Sequence, residues 1–570
     1  MGNKHKAHEI KDLKDMVNKS AEMYGDEPAF IFKTIVPGNF DKITFKEFKE
    51  QIDQLGTALL NLGLKGKRIG IISENRYEWA LAYLAIVTGV GVVVPLDHML
   101  TDIEIENLVK RSEMEAIFYS KSHDECMKNI KKQVDNKLSK FISMDLEREY
   151  SGVLSQKELL KEGKKLLEAG NEDFLKAEIN AEEMGIMLFT SGTTAMAKAV
   201  MLSHKNLCTN VMDVRRTIYL GLGDRVLSFL PLHHTFEATA SFLHSVYGGV
   251  AIAFCEGIRH MASNIQEYQI TVLITVPAVM ENIYKKIWQN IEKEGKTSTV
   301  KKALKISKFL LKFHIDIRKT LFKEIHQSLG GELRFALTGA APLDIETEVG
   351  LADFGIRMIQ GYGLTETSPV VSAISDGDIK VGSVGKAFPS IRVGIASPDE
   401  NGLGEIIVKG DSVMLGYYQN EEANNEVFHD GWFYTGDLGY IDEEGYIFVK
   451  GRQKNVIVLK NGKNIFPEEI ETLINRLPGV KESFVYGKEE GDDLKVCAKV
   501  VYDKDAMKEV YGVEGEEEIK RTLWGKIKEV NKTMPTYKYV KELIVTDQDL
   551  IKTTTQKVKR HEEMKRVEQM

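Results

Sequence analysis

Apolar and polar positions follow two different periods along the first 280 residues. FKEFKEQIDQLGTALLNLG (45–63), EWALAYLAIVTG (78–89) and DIEIENLVKR (102–111) space their apolar residues as helices do. Between them, KRIGIIS (67–73), GVVVPL (91–96) and EAIFYS (115–120) are short runs rich in strand formers. The alternation returns in VLSFLPL (226–232), VAIAF (250–254) and VLITVP (272–277). Strands separated by helices predict parallel sheet built from βαβ units. After about residue 380 the texture changes to short strands with glycine turns, as in VGSVGKAFPSIRVGIA (381–396), GEIIVKG (404–410) and GYIFVKGR (445–452). Beyond Gly451 it becomes mixed, with VIVLKNGKNI (456–465), a helical EEIETLINRLPG (468–479) and LKVCAKVVY (494–502). The expected fold class is therefore α/β. It has a large N-terminal domain over 1–451 containing a β-rich subdomain at about 380–451, and a small α+β C-terminal domain over 452–570. No repeat of 20–50 residues is visible, which excludes a solenoid or propeller.

Two segments change the picture. LAYLAIVTGVGVVVPL (81–96) is the most apolar stretch, but its 16 residues fall short of the roughly 20 that span a bilayer. It is predicted to be a helix followed by a buried strand. The segment 296–325 carries nine Lys/Arg against Asp316 and Glu324. Its Ile306, Leu310, Phe313, Ile317 and Leu321 follow helical spacing, with Lys301, Lys305, Lys308, Lys312, Lys319 and Lys323 on roughly the opposite face. It is expected to form one or two surface helices with a solvated lysine face. The sharper reading is a contact with anionic lipid headgroups.

Composition and charge narrow the classes further. The formal charge is −8 over 570 residues, which leaves no broad basic footprint for nucleic acid. From 451 onward 24 basic and 22 acidic residues give +2, so the remainder carries −10. Cys126, Cys208, Cys255 and Cys497 are far apart and form no CxxC, so neither a disulfide framework nor a zinc-ribbon spacing is indicated. The N-terminus lacks the apolar run of a signal peptide, and Lys6 stands where a myristoylation motif wants Ser or Thr. A cytoplasmic location is expected, with peripheral membrane contact through 296–325 as the alternative to a purely solvated lysine face.

Four segments carry chemistry. FTSGTTAMAKAVMLSH (189–204) clusters Thr190, Ser191, Thr193 and Thr194 around Gly192, with Lys198 following. Hydroxyls and backbone N–H groups of such a loop can hold phosphate oxygens, and the lysine adds a compact positive charge. It is not the Walker pattern. In IQGYGLTETSPV (359–370), Gln360, Gly361, Tyr362 and Gly363 offer close backbone approach and a flat face for a base, while Thr365 and Glu366 set a hydroxyl beside a carboxylate, donors suited to Mg²⁺. In WFYTGDLGYIDEEGYIFVKGRQKNVIVLKNGKNIFPEEIE (432–471), Asp437 can accept both hydroxyls of a ribose, and Arg452 lies between two predicted domains. In KTTTQKVKR (552–560), Lys557 sits in a Thr-rich turn. Taken singly, each also reads as an ordinary turn, ion pair or basic tail.

Together, in this order, the four segments resemble the adenylate-forming superfamily of acyl-CoA synthetases, nonribosomal adenylation domains and luciferases. The likeness spans about residues 20–560. LTGAAPL (337–343), GEIIVKGDSVMLGYY (404–418) and FPEEIE (466–471) add to it. SENRYEW (73–79), LPLHHTFE (230–237) and the form of the hinge region are most similar to long-chain fatty acid–CoA ligases. The resemblance implies ATP, Mg²⁺ and CoA as reactants and cofactor, and a fatty acid activated as acyl-AMP before thioester formation. An acyl carrier protein as acceptor, or an aryl or other carboxylic acid as substrate, is the alternative. It implies a phosphate loop at Thr190, Ser191, Gly192, Thr193, Thr194 and Lys198, and metal ligation by Glu366 with Thr190. It implies an adenine pocket from Gly339, Ala340, Ala341, Gly361, Tyr362 and Gly363, and ribose contacts from Asp437 and Arg452. His234 and Phe236 fall near the acyl pocket. Lys454 matches the hinge of a mobile C-terminal domain, Gly462 the pantetheine tunnel and Lys557 the adenylation lysine. Four positions depart from the family's usual pattern. Ala195, Ala197 and Ala199 replace Gly, Pro and Gly in the phosphate loop, and Gln556 replaces the Gly before Lys557. Lost access to positive φ predicts an altered loop.

Overall fold

The structure, a computed structural model, describes residues 5–34, 39–132, 137–190, 197–459, 463–490, 493–553 and 557–569. Packing divides the chain into two units. The first holds the described residues of Met1–Thr190, Met196–Val393 and Val408–Phe433, the second those of Gly394–Ile407 and Tyr434–Met570.

The first unit is built on two large sheets whose central strands are parallel. One runs, edge to edge, Gly416–Tyr417, Lys198–Ser203, Met184–Thr190, Val92–Pro95, Arg68–Ile72, Ala116–Tyr119, Lys140–Ser143 and Leu154–Ser155. The other runs Lys386–Ala387, Val370–Ala373, Arg357–Gly363, Phe335–Thr338, Val272–Thr275, Arg225–Ser228, Ala251–Phe254, Pro28–Lys33 and Phe40–Thr44. Parallel strands covered on both faces read as continuous apolar runs, and Ala116–Tyr119, Val272–Thr275 and Phe335–Thr338 are buried throughout. Their C-terminal ends open into the loops that carry the motifs, as ligand sites do in α/β folds.

The apolar stretch at 81–96 is a helix, Tyr77–Val87, with every residue but Glu78 buried, followed by the strand Val92–Pro95. No helix among the described residues is long and apolar enough to cross a membrane. The lysine-rich segment forms the expected surface helix with exposed lysines, but its apolar stripe is broken. Its helix, Thr297–Leu311, ends before Ile317 and Leu321; Leu321 belongs to a separate one-turn helix, Arg318–Leu321, with Ile317 at its N-cap. The helix docks through Val300, Ala303 and Leu304, with Ser307 buried. Ile306, Phe313 and Leu321 are 56%, 61% and 41% exposed, so the stripe that spacing singled out points partly into solvent, as does Phe309 beside it.

In the second unit, Val480–Glu490 and Asp493–Tyr502 form an antiparallel hairpin, and Glu542–Thr546 adds in parallel. Helices Pro467–Asn475 and Glu516–Asn531 supply Ile470, Ile474, Ile519, Leu523 and Ile527 to its core. Lys499, buried completely, pairs with the equally buried Glu563 of helix Arg560–Glu568 at 2.5 Å. The other Glu563 oxygen accepts from the Ile551 N–H at 3.0 Å. Breaking such a pair from one side costs about 3–5 kcal/mol. It fixes the base of the turn that ends in Lys557.

Candidate active site

Strand Met184–Thr190 runs antiparallel to Lys198–Ser203, with Thr190 directly opposite Lys198. The Thr190 hydroxyl donates to the Lys198 carbonyl at 3.4 Å. Ser191, Gly192, Thr193, Thr194 and Ala195 lie outside the described residues. Ala199 sits inside the second strand, paired with Phe189, and its carbonyl accepts from Tyr418 N–H at 2.8 Å. It is extended, so the loss of positive φ expected from glycine replacement does not arise there. Ala197 offers its carbonyl to Arg111 Nη2 at 2.6 Å.

The register of the adjoining edge strand brings in a group that sequence reasoning missed. Tyr417 pairs with Val200, and its ring lies 4.7 Å below Lys198 Nζ. Its hydroxyl donates to Glu366 Oε1 at 2.9 Å. Met414 N–H donates to the Glu366 carbonyl at 2.8 Å. Tyr417 lies in the quoted LGYY segment, but only strand pairing singles it out from its neighbours. A lysine over a phenol that in turn holds a carboxylate is a preorganised charged cluster at a strand end.

Glu366 stands in the turn Thr365–Thr367, just after strand Arg357–Gly363. The turn is closed by the Thr367 hydroxyl, which donates to Pro369 O at 2.6 Å. Only glycine fits at 363, because a Cβ would fall 1.8 Å from that same Pro369 oxygen. Strand Phe335–Thr338 pairs in parallel with it, Thr338 opposite Gln360, so Gly339–Ala341 leaves the sheet beside Gly361–Gly363. A Cβ on Gly339 would stand 3.2 Å from Phe236 Cζ and 3.5 Å from Gly361 O. Ala340 adopts φ 72°. Gln360 is buried, with its carbonyl accepting from Ile374 N–H, and Tyr362 is buried opposite Ser372. Thr365 and Thr235 hydroxyls meet at 3.4 Å. The structure thus brings Gly339, Gly361, Thr365 and Phe236 together.

The His-aromatic loop is fixed by Asn75, which sequence reasoning placed only within a motif. Its amide donates to Ser228 Oγ at 3.1 Å and Leu230 O at 2.6 Å, and its carbonyl accepts from Leu232 N–H at 3.0 Å. His234 Nδ1 accepts from Phe236 N–H at 3.2 Å. A π-helical segment, Phe236–Leu243, follows, a rare geometry frequent at functional sites. Within it Glu237 is wholly buried, and burial pushes its carboxyl up to about 8. Burial also pushes His233 down to about 4.

The second unit holds the remaining predicted residues. Asp437 and Arg452 lie opposite each other in paired strands, and Arg452 Nε meets Asp437 Oδ1 at 2.9 Å. Arg452 Nη1 also donates to Thr435 O at 3.0 Å, and Asp437 N–H donates to Thr435 Oγ1 at 3.1 Å. Lys454 is exposed in the turn Gln453–Asn455. Gly462 and Gln556 lie outside the described residues. Lys557 is exposed, and its backbone closes a turn with Thr553 through two hydrogen bonds, at 2.8 and 3.2 Å.

Glu366 and Thr190 are oxygen donors of the kind Mg²⁺ takes, and the Tyr417 hydrogen bond to one carboxylate oxygen orients the other, so these residues fit the ion. Parallel strands ending in a glycine-lined nook, with a lysine and a carboxylate at neighbouring strand ends, are an arrangement suited to holding a nucleotide in an α/β enzyme.

Comparison with known proteins sharpens that class. The AMP-binding enzyme family pattern matches residues 17–418, and the AMP-binding enzyme C-terminal domain matches 454–570. The chain is 30% identical over 480 residues to the long-chain-fatty-acid–CoA ligase FadD15 of Mycobacterium bovis, covering 81% of this chain and 78% of that one. It is 31% identical over 484 residues to long-chain-fatty-acid–CoA ligase 5 of Rattus norvegicus, covering 78% and 69%. The fold matches the anthranilate CoA ligase AuaEII, solved with anthranoyl-AMP, at a TM-score of 0.77 and 19% identity over 98% and 97% of the two chains. The chain belongs to the AMP-binding enzyme family.

Proposed function

We propose that this protein is an acid–thiol ligase that activates a medium- to long-chain fatty acid with ATP and passes the acyl group to CoA. The observation that carries the reading is the match, over about four-fifths of the chain, to relatives named long-chain-fatty-acid–CoA ligases. In the first step a carboxylate oxygen attacks the α-phosphorus of ATP, giving acyl-AMP and pyrophosphate. In the second the CoA thiol displaces AMP, forming the thioester.

The chemical difficulty of the first step is bringing an anion onto a polyanion. Lys198, aligned over Tyr417, and Lys557, exposed where its turn closes, supply positive charge where negative charge gathers in the transition state. Glu366 and Thr190 would hold Mg²⁺, which would neutralise phosphate charge when bound with ATP. The Gly339–Ala341 and Gly361–Gly363 backbones receive the adenine, and Asp437 with Arg452 the ribose. Lys454 is the hinge about which Lys557 is withdrawn and Gly462 delivered between the two steps. Phe236 and His234 border the acyl end, where each buried CH₂ contributes about 0.8 kcal/mol. We also propose that helix Thr297–Leu311 rests on anionic membrane. Its exposed Ile306 and Phe309, with Phe313 just beyond, lie among lysines, the pattern of an interfacial helix.

The test is thioester formation across acids from acetate to oleate, with benzoates included, and with CoA and acyl carrier protein as competing acceptors. kcat/KM rising from butyrate to palmitate with CoA supports the reading. A maximum at a short or aryl acid, or transfer to carrier protein alone, overturns it.

A further inference from the structure

Beside the nucleotide site, a second group of side chains converges that the ligase chemistry does not use. Asp97 and His98 lie just past strand Val92–Pro95 of one sheet, after Leu96, and His233 lies in the loop after strand Arg225–Ser228 of the other. One ligand atom from each of these three residues lies within 4.8 Å of the other two. We propose that Asp97, His98 and His233 form a binding site for a zinc-class divalent transition metal ion, and that occupancy of this site restrains the adjoining His234–Phe236 loop and slows acyl activation.

The donor set argues for the class of ion. Two imidazoles and one carboxylate suit zinc and its neighbours, whereas Mg²⁺ prefers oxygen alone. The spacing argues for a shared ion rather than a simple ion pair. His233 Nε2 and Asp97 Oδ2 are 3.6 Å apart, too far for a hydrogen bond. Two ligands each about 2.0–2.1 Å from one tetrahedral zinc stand about 3.4 Å apart. The widest gap in the group must therefore close by at most about 1.4 Å, a side-chain adjustment.

The ligands are also held in place. Asp97 uses Oδ1 to accept from Met99 N–H at 2.9 Å, which turns Oδ2 toward His233. The three Asn75 hydrogen bonds hold the loop that bears His233. The His98 and His233 rings are edge-to-face, with centroids 6.5 Å apart. The side chains of His233 and Asp97 are 14% and 22% exposed, partly desolvated yet reachable from solvent. The surroundings favour a cation. Apart from His98 itself, the charged groups acting on His233 and His123 are Asp97, Glu74 and Asp102, all carboxylates. His123, electrostatically coupled to His98, keeps a buried Nε2 with no hydrogen-bond partner among the described residues.

The consequence for activity follows from connectivity. His233 precedes His234 in the chain, and Phe236 packs against the Gly339 position. An ion that ties His233 to the end of strand Val92–Pro95 fixes the start of the loop that must adapt to the acid.

Full-length protein, stripped of metal, is titrated with Zn²⁺ by calorimetry without nucleotide, and with Co²⁺ by visible absorption. One ion per chain is expected, with Co²⁺ bands of a low-coordinate nitrogen–oxygen site. His98→Gln and Asp97→Asn should each weaken binding by at least about tenfold, while His260→Gln on the exposed surface leaves it unchanged. In acyl-adenylate formation with Mg²⁺ in excess, added Zn²⁺ should depress the parent's rate, and a zinc-selective chelator should restore it. His98→Gln should match the metal-free parent and resist Zn²⁺. No binding, or binding unchanged in both His98→Gln and Asp97→Asn, overturns the site. Binding without any effect on rate overturns its coupling to the loop. The calorimetric arm uses no acid, so it stands apart from the identity of the substrate.

Discussion

Lys198 and Lys557 carry the same charge, and the protein keeps them under opposite conditions. Lys198 is set in a strand of the first unit, over the ring of Tyr417, whose hydroxyl holds Glu366. Lys557 stands exposed in the second unit, closing a turn against Thr553 near Ile551, which the buried Lys499–Glu563 pair fastens. One cation is aimed before substrate arrives. The other is exposed to solvent at the close of a turn. A two-step reaction needs both kinds, because the group that assists the first step must not obstruct the second.

The largest effect should come from removing the exposed member. Lys557→Ala is expected to slow acyl-AMP formation by about 10²–10³, the usual cost of losing one charge or donor aimed at the transition state. Thioester formation from supplied acyl-AMP should be nearly unchanged. Separate assays of the two half-reactions decide it, and equal losses in both would break the contrast between a fixed and a delivered lysine.

A smaller effect should follow from loosening the fixed member. Tyr417→Phe keeps the ring beneath Lys198 and removes only the hydroxyl that holds Glu366. A hydrogen bond to a charged group contributes about 1.5–3 kcal/mol, so kcat/KM for ATP should fall by at least about tenfold. The loss should shrink as Mg²⁺ is raised, if the bond orients Glu366 toward the ion. A variant with the parent's kcat/KM and Mg²⁺ dependence would show that Tyr417 only packs.

Much of this was legible in the sequence because the signals were local. Alternating periods placed the parallel strands, and the buried helix Tyr77–Val87 followed by Val92–Pro95 was separable from a membrane span by length alone. What was not legible depended on pairing across distance. Tyr417 meets Lys198 and Glu366 through strand register, and Asn75 reaches 155 residues along the chain to hold Leu230. Ala199 looked like a lost glycine, but the strand around it asks for no positive φ. Spacing also could not tell which side of helix Thr297–Leu311 faces the core. Val300, Ala303, Leu304 and Ser307 face the core, and Ile306 and Phe309 do not.

That helix gives the smallest effect on turnover and extends the contrast from ligand to membrane. Phe309 and Phe313 pack edge to face with centroids 5.2 Å apart, yet both are well exposed. The fold leaves an apolar pair at the surface here, as it leaves a charge at the surface in Lys557. Here the surrounding Lys301, Lys302, Lys305 and Lys312 are exposed, while Lys308 pairs with Asp353 at 2.6 Å. Each lysine near an anionic surface contributes about 1 kcal/mol, falling off within a Debye length. The aromatic pair would enter the headgroup boundary between them. Phe309→Ser with Phe313→Ser should therefore reduce sedimentation with phosphatidylserine vesicles at every salt concentration. Lys301→Gln, Lys305→Gln and Lys312→Gln together should reduce it mainly at low salt. Neither set touches the active site, so turnover of detergent-dispersed palmitate should remain within about twofold of the parent, as for surface substitutions worth less than 0.5 kcal/mol. Turnover of palmitate presented in vesicles should fall. If the parent ignores anionic vesicles at low salt, the exposed pair serves no lipid surface. If the variants lose activity equally in detergent, the helix supports the fold.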